Sequence, residues 1–206
     1  MPLAASLGFD NLESRKNSPS QKALAAWEKI KNTGIEGPKI LPQDLVFIGL
    51  RDTEPEEDFL LNKHKIKSFS VEQLREKGVV NVCLETAHIL KDCDLVYVSF
   101  DVDSMDSELV SKGTGTPVPN GLTELQALEV IRTLLNSDKV CSFEIVEINP
   151  TLDNKGNSMA ETALRVLETA CQVIENRPSP SITKTPSTER YSHFSNVGRL
   201  SVVKSI

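Results

Sequence analysis

Basic residues, histidines and long apolar runs are what this chain has least of, and each shortage removes a class of function. Its 23 Lys and Arg stand against 29 Asp and Glu, a net charge of −6. That balance argues against nucleic-acid binding, which wants a basic face. No apolar stretch approaches the length of a membrane span, and no apolar secretory leader follows Met1. The three histidines lie in Lys63-His64-Lys65, Ala87-His88-Ile89 and Ser192-His193-Phe194, none beside a suitable aspartate. Four cysteines, Cys83, Cys93, Cys141 and Cys171, have no metal-like spacing and sit in apolar or amphipathic stretches. They read as reduced core residues of an intracellular protein, with the cytoplasm the expected compartment and the mitochondrion the alternative.

What is present is ordinary for a soluble globular domain: 39% hydrophobic and 25% charged residues in a 206-residue chain. Asp44 to Leu50, Lys65 to Phe69, Leu95 to Phe100 and Val140 to Ile148 have the character of strands. Between them lie helical stretches. Ala23 to Lys31 surrounds the single tryptophan, Ser70 caps a helix reaching about Lys77, and Val80 to Leu90 follows. Thr123, with Gln126 three residues on, starts a helix to Asn136 whose apolar face is Leu125, Leu128, Ile131 and Leu135. Asn157 to Glu175 is a longer one, with Leu164, Leu167, Cys171 and Ile174 on one face. Strands alternating with helices predict an α/β fold with a mainly parallel sheet. From Arg177 onward Pro178, Pro180 and Pro186 fall among serines and threonines. That composition suggests a disordered tail, although the apolar residues of 191–206 could instead dock on a partner.

The most informative segment is Asp101-Val102-Asp103, directly after the apolar run Leu95-Val96-Tyr97-Val98-Ser99-Phe100. Residues two apart on a strand share a face, so the two carboxylates are expected to project together from the carboxyl end of a parallel sheet, where such sheets keep their ligand sites. Like charges that close call for a cation between them, and a hard divalent ion is the simplest one. A polar exit turn is the plainer alternative. Downstream, Gly113-Thr114-Gly115-Thr116-Pro117 forms a loop whose glycines permit close backbone approaches. Further on, Phe143 to Glu147 ends in a carboxylate and the chain-turning Asn149-Pro150.

Together these segments resemble the arginase (ureohydrolase) family. Ser99-Phe100-Asp101-Val102-Asp103-Ser104-Met105-Asp106 is similar to one of its metal motifs, Gly113 to Pro117 to its substrate-side loop, and Glu147-Ile148-Asn149-Pro150 to its Glu-Val-Asn-Pro segment. Upstream, Ile48-Gly49-Leu50-Arg51-Asp52-Thr53-Glu54-Pro55-Glu56-Glu57 resembles a Gly-Leu-Arg-Asp stretch of arginase proper. The four motifs come in the family's order. The resemblance implies a partial arginase-like three-layer fold. Residues 1–39 would be a remnant of the amino-terminal region with a loop insertion, 40–176 the carboxyl-terminal core and 177–206 the tail.

The same resemblance implies hydrolysis of L-arginine to urea and ornithine at a site holding two manganese ions. Asp101 matches a carboxylate that bridges both ions and Asp103 one that binds the second. Glu147 matches the glutamate that pairs with the guanidinium, Thr116 a threonine lining the cleft, and Glu54 and Glu57 acidic readers of the substrate's amino group. The plainer readings are a surface carboxylate at a strand end for Glu147 and an exposed acidic loop for Glu54 and Glu57. The family's other motifs, a histidine after Gly-Gly-Asp and an Asp-Ala-His-Ala-Asp loop, do not occur here. The expectation is therefore a carboxyl-terminal portion that is inactive alone, or a non-catalytic chain that associates with full-length subunits of the homotrimeric family. Strand Leu95 to Phe100 is expected to have lost a neighbour.

Overall fold

The computed structural model describes residues 2–13, 16–177 and 199–205. Its helices and strands, in chain order, are α1 (Pro2–Ser6), α2 (Gln21–Lys31), β1 (Leu45–Ile48), α3 (Pro55–His64), β2 (Lys67–Phe69), α4 (Val71–Lys77), α5 (Val79–Ile89), β3 (Leu95–Asp101), α6 (Glu124–Leu135), β4 (Val140–Val146), α7 (Ser158–Glu175) and β5 (Leu200–Ser205). The helix starts follow local chemistry. Ser70 accepts from the Gln73 N–H while the Gln73 side chain accepts from the Ser70 N–H, and Thr123 and Gln126 do the same for α6. Each pair satisfies two amide donors that a helix end leaves open. The helix over Pro55–His64 lies in a stretch read from sequence only as a motif. Proline at its first position and three acidic residues in its first turn favour it there.

The five strands run in the order β2-β1-β5-β3-β4, and every pairing is parallel. The α/β expectation holds. Alternation sends Val46 and Ile48 to one face and Leu45 and Phe47 to the other. On the first face α4 to α7 pack a core that includes Leu74, Val82, Ile131, Leu135 and Val166 together with Phe100 and Val203 of the sheet. On the second face a smaller cluster gathers Leu7, Ile40, Leu45, Phe47, Ile66 and Val202, with Leu3, Phe9 and Leu61 against it. This gives three layers.

Four expectations are corrected. First, Leu200–Ser205 lies within the stretch assigned to the tail, yet it is a central strand between β1 and β3. Leu200, Ser201, Val202 and Val203 are too short a run to stand out by composition, and pairing on both edges decides their conformation. Residues 178–198 of that stretch lie outside the described residues. Second, β3 has not lost a neighbour: β4 pairs with one edge and β5 with the other. Third, α7 turns Met159, Ala163, Val166 and Ala170 inward and leaves Leu164, Leu167, Cys171 and Ile174 exposed; small residues let the helix approach α6 closely. On α6, Leu125 is likewise exposed, whereas Leu128, Ile131 and Leu135 are buried as expected. Fourth, Cys83 and Cys93 are buried, but Cys141 and Cys171 are not core residues.

Candidate active site

Asp101 is the last residue of β3 and is buried. The strand stops there. Val102–Ser104 is a single 3-10 turn, and the Asp101 carboxylate accepts from the Asp103 N–H at 3.0 Å. The expectation that strand alternation aims both carboxylates is therefore replaced by a different geometry, in which a capped turn folds Asp103 back beside Asp101. The Ser104 hydroxyl holds the turn by donating to the Asp101 carbonyl at 2.6 Å.

The glycine loop closes over this turn. Both oxygens of Asp103 are taken by hydroxyls, one from Thr114 and one from Thr116. Thr114 also reaches the Glu147 carbonyl at 2.9 Å, and a single O–H can donate to only one of the two at a time. The Asn149 N–H donates to the Gly113 carbonyl at 2.8 Å, tying the loop to the end of β4. Gly113 has no room for a side chain: a Cβ would lie 2.6 Å from the Cβ of Met159. Gly121 is held as closely, against the backbone of Met105 and Asp106. Arg51 joins the two segments from the end of β1. Its guanidinium donates to the carbonyls of Asp103 at 2.6 Å, Val118 at 3.0 Å and Met105 at 3.1 Å. Burial holds that guanidinium below its usual pKa, opposed by the nearby Asp106 and Asp103.

The acidic centre carries an electrostatic load. Burial pushes the Asp101 carboxyl up to about 6; Asp103 and Glu147 add repulsion, while the Asp103 N–H and Lys204 oppose the shift. Asp103 is also raised, first by burial and then by Glu147, with the Thr116 hydroxyl, Arg51 and Lys204 pulling the other way. Glu147 is exposed and has a left-handed backbone at φ 65°. Lys204, from β5, brings its ammonium to 3.5 Å from Asp101, and the Ser205 hydroxyl accepts from the Asp101 N–H at 3.0 Å.

Asp101, Asp103, Thr116 and Glu147 thus come together. Glu54 and Glu57 lie at the start of α3: Glu54 is ion-paired with Lys16 at 2.5 Å, and the Glu57 carboxylate accepts from the Glu54 N–H at 3.0 Å. Sequence reasoning assigned no role to Thr114, Arg51 or Lys204. Thr114 and Arg51 sat inside quoted motifs, whereas no sequence signal marked Lys204.

The donor set does not fit a manganese pair. Asp101 is engaged by a lysine and an amide, and Asp103 by two hydroxyls. Among the described residues no cluster of three or more His, Cys, Asp or Glu side chains could hold a metal ion. His64 stacks on Phe9 with ring centroids 3.9 Å apart, His88 is in the last turn of α5, and His193 lies outside the described residues.

Comparison with known proteins gives this arrangement its context. A model of the Arginase family matches residues 13–172. The arginase of Brevibacillus brevis is 32% identical over 168 residues, covering 81% of this chain and 50% of that protein. The mitochondrial arginase-2 of Mus musculus is 34% identical over 128 residues, 61% of this chain and 36% of that protein. The crystal structure of Helicobacter pylori arginase superimposes with a TM-score of 0.76 at 32% identity, over 84% of this chain and 56% of that one. The chain spans about half the length of the curated relatives it matches. The fold, the order of its motifs and the family match agree, and the chain belongs to the arginase family.

Proposed function

We propose that this chain carries the substrate-facing, carboxyl-terminal portion of an arginase-type amidinohydrolase and that, by itself, it does not hydrolyse L-arginine. One observation carries the reading: the carboxylates that family resemblance assigns to metal are already engaged, Asp101 by Lys204 and Asp103 by Thr114 and Thr116. What the portion offers is a carboxylate, Glu147, exposed beside a threonine-lined loop. A carboxylate and a planar guanidinium fork are complementary. Glu147 binds the guanidinium in this reading and Thr116 lines its approach. Glu54 and Glu57 keep a more distant role, toward the substrate's amino group. The cytoplasm is the assigned compartment, with the mitochondrion the alternative that arginase-2 suggests.

A second reading, association with other arginase chains, is favoured by a specific surface. Leu164, Leu167 and Ile174 are exposed at helical spacing along α7, and β4 is an outer strand among the described residues. Unpartnered apolar stripes and outer strands are common sites of association.

The test is urea release from arginine by the purified chain with manganese present. Background rates are expected. Release that saturates with arginine and is lost in Glu147→Ala would overturn the proposal. Adding the chain to a full-length arginase tests the second reading, since association would change that enzyme's rate.

A further inference from the structure

We propose that Lys204 is the resident cation of the Asp101–Asp103 site, and that with β5 seated between β1 and β3 the folded chain keeps divalent metal out of it. The register makes the placement unavoidable. Ser99 pairs with Lys204 and Phe100 with Ser205, so Lys204 shares a sheet face with Ser99 and Asp101 and lies one step short of the carboxylate. Its ammonium is 3.5 Å from Asp101. The same strand holds Asp101 a second time, through Ser205 and the Asp101 N–H.

This is not a solvent-bathed surface pair. The Asp101 side chain is 7% exposed and that of Lys204 25%, so salt screens the pair little. Three carboxylates (Asp101, Asp103, Glu147) act on one another here, and two cations (Lys204, Arg51) act against them. The chain's own cations thus offset part of that negative charge, Arg51 being shared with the buried Asp106. A divalent ion gains from carboxylates only what their uncompensated charge provides, and it would be repelled by an ammonium already in place. To enter, it would have to displace Lys204 and free the oxygens of Asp103 from two hydroxyls.

The inference rests on reading Asp101 and Asp103 as the family's carboxylate pair, and its test is separable from the assay above. The isotope-labelled full chain is titrated with manganese to millimolar concentration, and paramagnetic broadening of its amide signals is followed. In the wild type, and in Lys204→Arg, no selective broadening is expected at residues 101–104 or 114–116. In Lys204→Met those signals should broaden selectively, with affinity at least about tenfold tighter, since the competing ammonium is gone. Manganese should also raise the Tm of Lys204→Met and leave that of the wild type unchanged. Selective broadening in the wild type, or equal affinity in Lys204→Met, overturns the inference. Should Lys204→Met fail to fold, Lys204→Gln, which removes the charge and keeps a polar end, takes its place under the same criteria. Urea release is read on the same samples. Broadening without urea strikes this inference only, whereas urea from the wild type strikes the proposed function.

Discussion

Glu147 has a left-handed backbone, φ 65°, where β4 gives way to the Asn149-Pro150 turn. A residue with a Cβ adopts that conformation at a cost of about 1 kcal/mol or more, and glycine does so freely. Glu147 also repels Asp101 and Asp103. Both terms destabilise the fold, and two substitutions separate them. Glu147→Ala removes the charge and keeps the strain; Glu147→Gly removes both. Glu147→Gly is expected to be more stable than Glu147→Ala by about 1 kcal/mol, read from chemical denaturation midpoints at equal slope. Equal midpoints would show that the backbone there is unstrained. The residues of the site divide by distance along the chain. Asp101, Asp103, Thr116 and Glu147 were legible because each sits in a short motif with its own chemistry. Lys204 was not, because its partner is more than a hundred positions away and only the β3–β5 register joins them.

Among the elements, β5 carries the most consequence. It is hydrogen-bonded on both sides, Leu45–Ile48 on one and Leu95–Phe100 on the other, and it buries Val202 and Val203 into opposite cores. Ending the chain before Arg199 would open the middle of a parallel sheet and leave backbone donors and acceptors of both neighbours without partners. It would also remove Arg199 from its bidentate pair with the buried Asp44, at 2.5 and 2.7 Å. Loss of the cooperative thermal transition and gain of binding to a hydrophobic dye are expected. An unchanged sharp transition would show that the strand is dispensable. Helix α7 teaches the complementary lesson. Its sequence holds two apolar faces, and periodicity alone favoured the face with larger residues; the packing chose the one with Ala163 and Ala170, which allows closer approach.

The molecule as a whole has its thiols in two environments. Cys83 is buried among α5 and its neighbours, and burial pushes its thiol up to about 12; Cys93 is buried and raised as well. Cys141 on β4 and Cys171 on α7 are exposed. Thiolate is the form that alkylates, so iodoacetamide should modify Cys141 and Cys171 in the native protein and spare Cys83 and Cys93 until denaturant is added. Peptide mass mapping would check this. Early labelling of Cys83 would mean that the face packed by α4 to α7 opens. Both exposed thiols lie toward the β4 and α7 side, the side that the second reading assigns to other chains.

By itself the sequence determined β1 to β4, α2 and α4 to α7 and their order, because helix caps, strand runs and turn residues act over a few neighbours. It also determined the family, which is carried in contiguous motifs, and it named the carboxylates and threonine that the structure brings together. Only the tertiary structure decided which strand fills the centre of the sheet, which face of α7 is buried, and which cation faces Asp101. Each of these depends on which distant segment supplies the partner. A six-residue strand has no pattern strong enough to announce its neighbours, and its lysine takes its meaning from the carboxylate that the register sets beside it.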